Sequence, residues 1–168
     1  MKFRWDRFQI LSLASAIGAF ALMIAGGFVT QTVSGDACPD WPLCHGRVVP
    51  DLGDPNIAIE WSHRTIAAIV GILVLLTTFF AWRDRRGEKR IVWTATLSLV
   101  LVIVQAGVGG ATVLSGLNPA IVVAHLSLAA AFFGIAVTTA VLAFVLPPPA
   151  RVPASPSSDQ TGVPETPP

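Results

Sequence analysis

Four long apolar segments constrain the fold of this chain more than any other feature of its sequence. They comprise residues 8–33, 59–82, 91–114 and 119–146. Each is longer than the roughly 20 residues that a helix rising about 1.5 Å per residue needs to cross about 30 Å of hydrocarbon. The sequence therefore predicts four transmembrane helices and leaves no segment that could bury a separate soluble core.

The short connections between these segments predict how the helices pack. Helices joined by short loops pack as antiparallel neighbours, so we expect an all-α membrane protein with a four-transmembrane-helix antiparallel bundle in residues 1–146. The one long connection, residues 34–58, should lie over the outer mouth of the bundle. Residues 147–168 are rich in Pro, Ser, Ala and Thr and are predicted to form a disordered cytoplasmic tail, because such a composition buries little apolar surface.

The distribution of basic residues predicts the orientation in the lipid bilayer. Lys and Arg cluster in residues 2–7, in the loop at 83–90 and at Arg151, whereas the opposite side has only Arg47 and Arg64. Cytoplasmic loops carry the excess of positive charge. We therefore expect a multi-pass protein of the cell membrane with both termini in the cytoplasm, and no nucleic-acid partner.

The first apolar segment has a second interpretation, a cleaved signal peptide, because basic residues precede it and Ala14-Ser15-Ala16 resembles a cleavage site. Apolar regions of signal peptides usually span about 7 to 15 residues. This segment continues without a break to Thr30, so we expect an uncleaved first helix.

The predicted membrane segments contain very few titratable side chains. Glu60, His63 and Arg64 open the second helix, and His125 lies in the fourth. Counted from the outer ends at about 1.5 Å per residue, His63 lies about 5 Å deep and His125 about 9 Å deep. Two histidines at one level are the usual protein ligands of a six-coordinate haem iron, and a four-helix bundle commonly holds them. The alternative is that each histidine only hydrogen-bonds a neighbouring helix.

The two charged neighbours of His63 each have two possible roles. Glu60 precedes His63 by three residues and shares its helix face, so it is a candidate for proton transfer at the site. Equally, its charge could stabilise the positive end of the helix dipole in the first turn. Arg64 could bind a haem propionate or extend its charged end to the lipid headgroups.

Glycines and cysteines add two weaker signals. Five glycines lie at about the depth of the histidines, where they would make room for a flat macrocycle or let helices approach each other: Gly26, Gly27, Gly107, Gly109 and Gly110. Cys38 and Cys44 share one outer loop, and an oxidising compartment favours their pairing as a disulfide. The next residue, His45, is predicted to be solvated, because the second thiol of a c-type haem motif, Cys-x-x-Cys-His, is missing. A single cysteine pair also argues against a thiol oxidoreductase with two outer-loop pairs.

Four stretches, taken together and in this order, resemble the haem A synthase family. They are Cys-Pro-Asp-Trp-Pro-Leu-Cys at 38–44, Glu-Trp-Ser-His-Arg at 60–64, Gln-Ala-Gly-Val-Gly-Gly-Ala-Thr-Val-Leu at 105–114 and Ala-His-Leu-Ser-Leu-Ala at 124–129. The usual family chain has eight helices in two similar halves, and this sequence resembles the N-terminal half alone.

The resemblance implies an oxidoreductase that uses dioxygen to convert a methyl group of haem O into a formyl group during maturation of terminal oxidases. It implies that His63 and His125 are the catalytic haem-site histidines and iron ligands, and that Glu60 is tied to catalysis. Cys38 and Cys44 would form the family's loop disulfide.

One departure from the family concerns the haem propionates. The family often has an arginine-containing stretch just before the cysteine loop, where this chain has Gln-Thr-Val-Ser-Gly at 31–35. Arg64 or Arg47 would therefore have to supply the propionate contact.

A single half would hold one haem, whereas the full-length family enzyme needs the substrate haem O and a separate haem B. We therefore expect a homo-oligomer, which restores the two-half arrangement by symmetry. Haem O synthase and oxidase assembly proteins are further expected partners. The rival interpretation is a b-type haem-binding or haem-handling assembly protein that does not convert its haem.

Overall fold

The structure, a computed structural model, describes residues 5–146. Four α-helices follow one another in this range: α1 (Arg7–Gln31), α2 (Pro55–Asp84), α3 (Lys89–Leu114) and α4 (Pro119–Val145). Each is long and apolar enough to cross a membrane, so the predicted all-α membrane bundle is confirmed. The Pro-rich tail predicted for residues 147–168 lies outside the described residues.

Local sequence signals explain where three of the helices begin. Asp6, Asp54 and Asn118 each accept a backbone N–H of the first turn with their side chains, which satisfies a donor that the helix itself leaves unpaired. In α2 and α4 a proline, Pro55 or Pro119, directly follows the cap, where its missing N–H is not needed. As a result α2 begins at Pro55, one turn earlier than its apolar segment suggests.

The helices form a square in which each one contacts its two neighbours. α1 contacts α2 and α4, and α3 also contacts α2 and α4. Within residues 5–146 the two diagonal pairs, α1 with α3 and α2 with α4, do not contact each other. Side chains on diagonal helices can therefore face each other only across the central axis of the bundle.

The core consists largely of small and medium apolar side chains. One cluster lies toward the helix ends that carry the basic loop, and it contains Phe8, Ala81, Ile91, Ala95 and Ala143. A second cluster lies further along the bundle and contains Ala19, Val70, Val74, Phe132 and Ala136. Small residues let membrane helices approach closely, and many large apolar side chains are exposed on the outside of the bundle, where lipid is expected.

A polar clamp closes the end of the bundle that carries the basic loop. The side chain of Arg85 is 1% exposed, forms an ion pair with Asp6 and lies 5.4 Å from the centre of the Phe8 ring. Gln9 Nε2 donates to the Ala143 carbonyl over 3.1 Å. Arg85, one of the basic residues of the 83–90 loop, thus also joins the start of α1 to the end of α2.

The opposite end is covered by the long connection between α1 and α2. Trp61 Nε1 on α2 donates to the Val48 carbonyl of this connection over 2.8 Å, and Ser34 donates to Asn56 over 3.0 Å. A Cβ placed on Gly35 would lie 3.3 Å from the side chain of Leu117 in the turn between α3 and α4. The connection therefore packs on both helix hairpins.

Candidate functional site

The two intramembrane histidines lie on diagonal helices near the covered end of the bundle. His63 belongs to α2 and His125 to α4, and both side chains are partly buried. The Nδ1 atom of each ring is buried without a hydrogen-bond partner in the described structure. A buried unpaired nitrogen costs free energy, so both imidazoles have an unused bonding capacity.

Each imidazole fits into a notch left by a glycine on the preceding helix. A Cβ placed on Gly26 of α1 would lie 3.2 Å from Cε1 of His63, and one placed on Gly109 of α3 would lie 3.0 Å from Cε1 of His125. The hairpins α1–α2 and α3–α4 therefore repeat one arrangement, in which a glycine on the first helix receives the histidine of the second. Both rings are turned toward neighbouring helices and not into lipid.

The remaining glycines of this level divide into two groups. Gly110 receives the indole of Trp41, because a Cβ placed there would lie 2.8 Å from the indole Cδ2. Gly27 and Gly107 have nothing within 4 Å of such a Cβ. Three of the five glycines thus make room for aromatic side chains of this chain, and Trp41 brings the connection between α1 and α2 onto α3.

Arg64 binds the loop that contains the two cysteines. Its Nη1 donates to the carbonyls of Asp40 and Leu43, both over 2.7 Å, and its Nη2 donates to the Cys38 carbonyl over 2.8 Å. Its Nε donates to Glu60 over 2.8 Å. Since a guanidinium has five N–H donors, one is left, and a propionate contact by Arg64 stays a prediction.

The position of Arg64 also decides against one alternative. Its side chain is 14% exposed and its charged end bonds to the loop, which favours a role in holding the loop over extension to the headgroups.

Glu60 lies beyond the first turn of α2, with its residue only 4% exposed. The helix begins at Pro55 and is capped by Asp54, and its first turn contains no acidic residue. Stabilisation of the helix dipole in the first turn is therefore wrong as an explanation of Glu60. The carboxylate instead pairs with Arg64, one helical turn away.

The cysteine loop is a compact hydrogen-bonded unit. Cys38 and Cys44 are buried and joined as a disulfide in the structure. Asp40 accepts the backbone N–H groups of Gly46 and His45 over 2.7 and 2.6 Å, and the Gly46 bond holds the pKa of the Asp40 carboxyl below its usual value. His45 is exposed, as expected, although its Nε2 lies 2.9 Å from the Ala37 carbonyl oxygen.

A cavity of about 290 Å³ lies beside His63. Residues of α1 and α2 line it, namely Ala25, Phe28, Ala58, Ile59, Ser62 and His63. Its lining is mainly apolar, as in most sites for small ligands and cofactors. The cavity borders only one of the two histidines, whereas the sequence suggests a space shared by both.

The donor set suits a haem better than a bare metal ion. Among residues 5–146 no group of three or more His, Cys, Asp or Glu side chains is placed to hold a metal ion. A structural zinc site needs about four protein ligands, while a haem brings its own ring nitrogens and requires only axial ligands such as histidine. Two imidazoles on separate helices therefore suit a haem iron better than a bare ion.

Gln105 is a site residue to which the sequence analysis assigned no role. It lies in α3, is 8% exposed, and its Nε2 donates to the His125 carbonyl over 3.0 Å. The same Nε2 lies 3.4 Å from Nε2 of His125. The sequence signal that could have identified it is a lone amide in the middle of an apolar segment, because polar side chains of membrane helices often hydrogen-bond to a neighbouring helix.

Comparison with known proteins places the chain among oxidase assembly proteins. A family profile described as cytochrome oxidase assembly protein matches residues 9–162. The heme A synthase of Shouchella clausii is 35% identical over 135 residues, which cover 80% of this chain and 45% of that protein. The heme A synthase of Exiguobacterium sibiricum is 39% identical over 110 residues, which cover 61% of this chain and 36% of that protein.

A third relative, the heme A synthase of Alkalihalophilus pseudofirmus, is 30% identical over 139 residues, covering 82% of this chain and 47% of its own length. The chain spans about half the length of the curated relatives that it matches. Because the family profile extends over most of the sequence and includes all four helices, this chain belongs to the cytochrome oxidase assembly protein family.

Proposed function

We propose that this chain is a compact, four-helix haem A synthase, an oxidoreductase that oxidises a methyl group of haem O to a formyl group with dioxygen. The observation that carries the proposal is the pair of imidazoles, His63 and His125, each seated in a glycine notch of the preceding helix with a buried unpaired nitrogen. The similarity to heme A synthases identifies the kind of haem chemistry.

His63 and His125 are the residues that would hold the haem. They come from diagonal helices, and His63 also borders the cavity between α1 and α2. Imidazole nitrogens ligate haem iron as neutral bases. When bound, the haem supplies the methyl group to be oxidised and the iron that takes part in redox chemistry.

The overall reaction balances as two hydroxylations followed by loss of water. Each hydroxylation of the substrate methyl group consumes one dioxygen, two protons and two electrons from an external donor, and releases one water. The resulting geminal diol loses a further water and leaves the formyl group. The protein must therefore deliver protons to a site beneath the outer loop and keep that site shielded from bulk solvent.

Glu60 is the residue proposed to handle these protons. Its carboxylate is buried and lies on the same face of α2 as His63, three residues away. Arg64 donates to Oε1, so the second oxygen is the one available to exchange a proton. A carboxyl group positioned beside a reacting centre is a common general acid or base.

A homo-oligomer is proposed as the active form. The chain spans about half the length of its heme A synthase relatives, and association of two copies would supply the second histidine pair by symmetry. One pair would then bind haem O and the other haem B. Haem O synthase and oxidase assembly proteins are proposed as partners that supply the substrate and receive the product.

The cell membrane is the proposed location, with both termini in the cytoplasm. The exposed basic side chains next to the loop between α2 and α3, such as Arg83 in the last turn of α2, favour the cytoplasmic side for that end of the bundle. The cysteine loop would then face the oxidising exterior, where its disulfide is stable.

Co-expression with a source of haem O tests the activity. We expect haem A in pigment extracts of cells that make the native chain. Cells that make the His63→Ala or the His125→Ala variant instead should give a b-type haemochrome spectrum without haem A. If the native chain repeatedly yields haem B alone, conversion is refuted and the alternative, a haem-binding assembly protein, is favoured.

A further inference from the structure

The amide of Gln105 contacts His125 at two points. Its Nε2 donates to the backbone carbonyl of His125 over 3.0 Å and lies 3.4 Å from the ring nitrogen Nε2. Gly109, one turn further along α3, forms the notch that receives the same ring. Residues four apart share one face of a helix, so a single face of α3 holds His125.

The backbone carbonyl determines which way the Gln105 amide points. A carbonyl oxygen only accepts hydrogen bonds, so the group 3.0 Å away from it must be the NH₂ group. The reversed amide would place two acceptors against each other. This orientation leaves Oε1 of Gln105 buried without a partner in the described structure, a cost that the bond to the carbonyl offsets.

The orientation of the amide in turn determines the proton position on His125. The second N–H of Gln105 faces Nε2 of the ring, and an amide nitrogen donates but does not accept. Nε2 must therefore present its lone pair, and the proton of the neutral imidazole must lie on Nδ1. Without such a partner a neutral imidazole can carry its proton on either nitrogen.

The other histidine has no corresponding partner. In α1 the residue four positions before the notch glycine Gly26 is Leu22, which packs against the apolar core. His63 borders the cavity between α1 and α2, and its Nδ1 has no partner in the described structure. The two similar hairpins therefore differ at the position four residues before the notch glycine, which is an amide in α3 and a leucine in α1.

We propose that Gln105 is a positioning residue that fixes His125 in the tautomer with its proton on Nδ1. In this tautomer Nε2 carries the ring lone pair, which accepts from the Gln105 amide in the described structure. A metal at Nε2 would therefore have to displace that amide N–H, whereas Nδ1 would keep its proton. The use of that lone pair by haem iron rests on the proposed function, but the tautomer itself does not.

Nitrogen NMR of the full-length, haem-free protein with ¹⁵N-labelled histidine tests this proposal, because protonated and unprotonated ring nitrogens have distinct chemical shifts. The chain contains 3 histidines, and His125→Ala identifies the signal of interest. At a pH where the ring is neutral, we expect the proton of His125 on Nδ1 in the native chain. Gln105→Met, which keeps length and burial but has no donor, should give a mixture of tautomers.

Leu22→Met, at the equivalent position of α1, is the matched control and should leave the His125 signal unchanged. If Gln105→Met does not fold, Gln105→Leu gives the same comparison. A native protein with the proton on Nε2, or a tautomer unaffected by loss of the amide, would overturn the proposal.

Haem titration followed by absorbance separates this inference from the proposed function. Because iron at Nε2 would displace the amide N–H, we expect Gln105→Met to bind haem about fivefold more tightly than the native chain, the equivalent of one hydrogen bond, with Leu22→Met unchanged. Failure of the native chain to bind haem, with the Nδ1 tautomer intact, would refute the proposed function and leave the role of Gln105 standing. Equal haem affinity of the native and Gln105→Met chains would overturn the positioning role.

Discussion

Nε of Arg64 lies 2.8 Å from Oε1 of Glu60, and the same guanidinium binds three backbone carbonyls of the cysteine loop. One largely buried cation, 14% exposed, therefore joins the proposed proton-handling carboxylate to the segment that covers the site. Hydrogen bonds that share a group reinforce each other in a low-dielectric interior. A substitution in the loop should consequently alter the hydrogen bonding of Glu60, and a substitution of Glu60 should alter the loop.

Replacement of this cation should destabilise the outer end of the bundle. Arg64→Met would leave the Glu60 carboxylate and three carbonyls without their donor, and breaking a buried ion pair costs on the order of 3 kcal/mol. We expect a lower midpoint of thermal unfolding in detergent and faster proteolysis within the loop. Arg47→Met, at an exposed arginine of the same loop, is the control. Equal stability of the two variants would argue against the role of Arg64.

Removal of the disulfide should have a smaller effect than loss of Arg64. For a loop as short as residues 38–44, the chain-entropy estimate of the stabilisation is about 2 kcal/mol. The double replacement Cys38→Ala and Cys44→Ala should therefore lower the unfolding midpoint moderately while Arg64 still binds the loop. Calorimetry of the oxidised native chain beside this variant measures the difference. A larger loss than in Arg64→Met would reverse the order that we infer.

Filling the glycine notches should displace the histidines. Gly26→Ala and Gly109→Ala would place a methyl group 3.2 and 3.0 Å from the two imidazoles. Overpacking of this kind costs about 1 to 3 kcal/mol, which corresponds to haem binding weaker by a factor on the order of 10. Haem content per protein, from pyridine haemochrome spectra, is the measurement.

Neighbouring glycines provide the controls for this experiment. Gly27→Ala and Gly107→Ala have nothing within 4 Å of the added methyl group, so their haem content should equal that of the native chain. If all four variants behave alike, the effect comes from helix flexibility and not from the notches.

Glu60→Gln should separate haem binding from haem conversion. The amide oxygen can still accept the bond from Arg64, so we expect the fold and the bound haem to persist. Proton exchange at this position is lost, and extracts from cells supplied with haem O should then contain no haem A. Asp36→Asn, at an exposed acid of the outer loop, should retain conversion. Unchanged conversion by Glu60→Gln would remove this residue from the mechanism.

The solubilised active protein should be larger than one chain. Two copies would supply two histidine pairs. The heme A synthase relatives are about twice as long as the region they share with this chain, which is consistent with two such units. Native mass spectrometry of the haem-loaded protein should show at least a dimer. A strictly monomeric species that retains the activity would refute the homo-oligomer.

Sequence reasoning was sufficient for features that depend on local composition. The four membrane helices follow from the length and hydropathy of continuous segments, and helix rise alone places His63 and His125 at similar depths. The interpretation of Glu60 was less complete, because Asp54 and Pro55 start α2 before its apolar segment begins. A polar residue that caps a helix marks where the helix begins, but a hydropathy profile shows only where the apolar segment begins.

Only the tertiary structure decided which polar groups meet. The chain itself determined the helices, the cysteine loop and the level of the histidines, since each of these depends on residues close in sequence. The bonds of Arg64 to the loop and of Gln105 to His125 join residues about 20 or more positions apart. Such contacts depend on how each helix is rotated about its axis and on the path of the loop, and packing of the whole bundle fixes both.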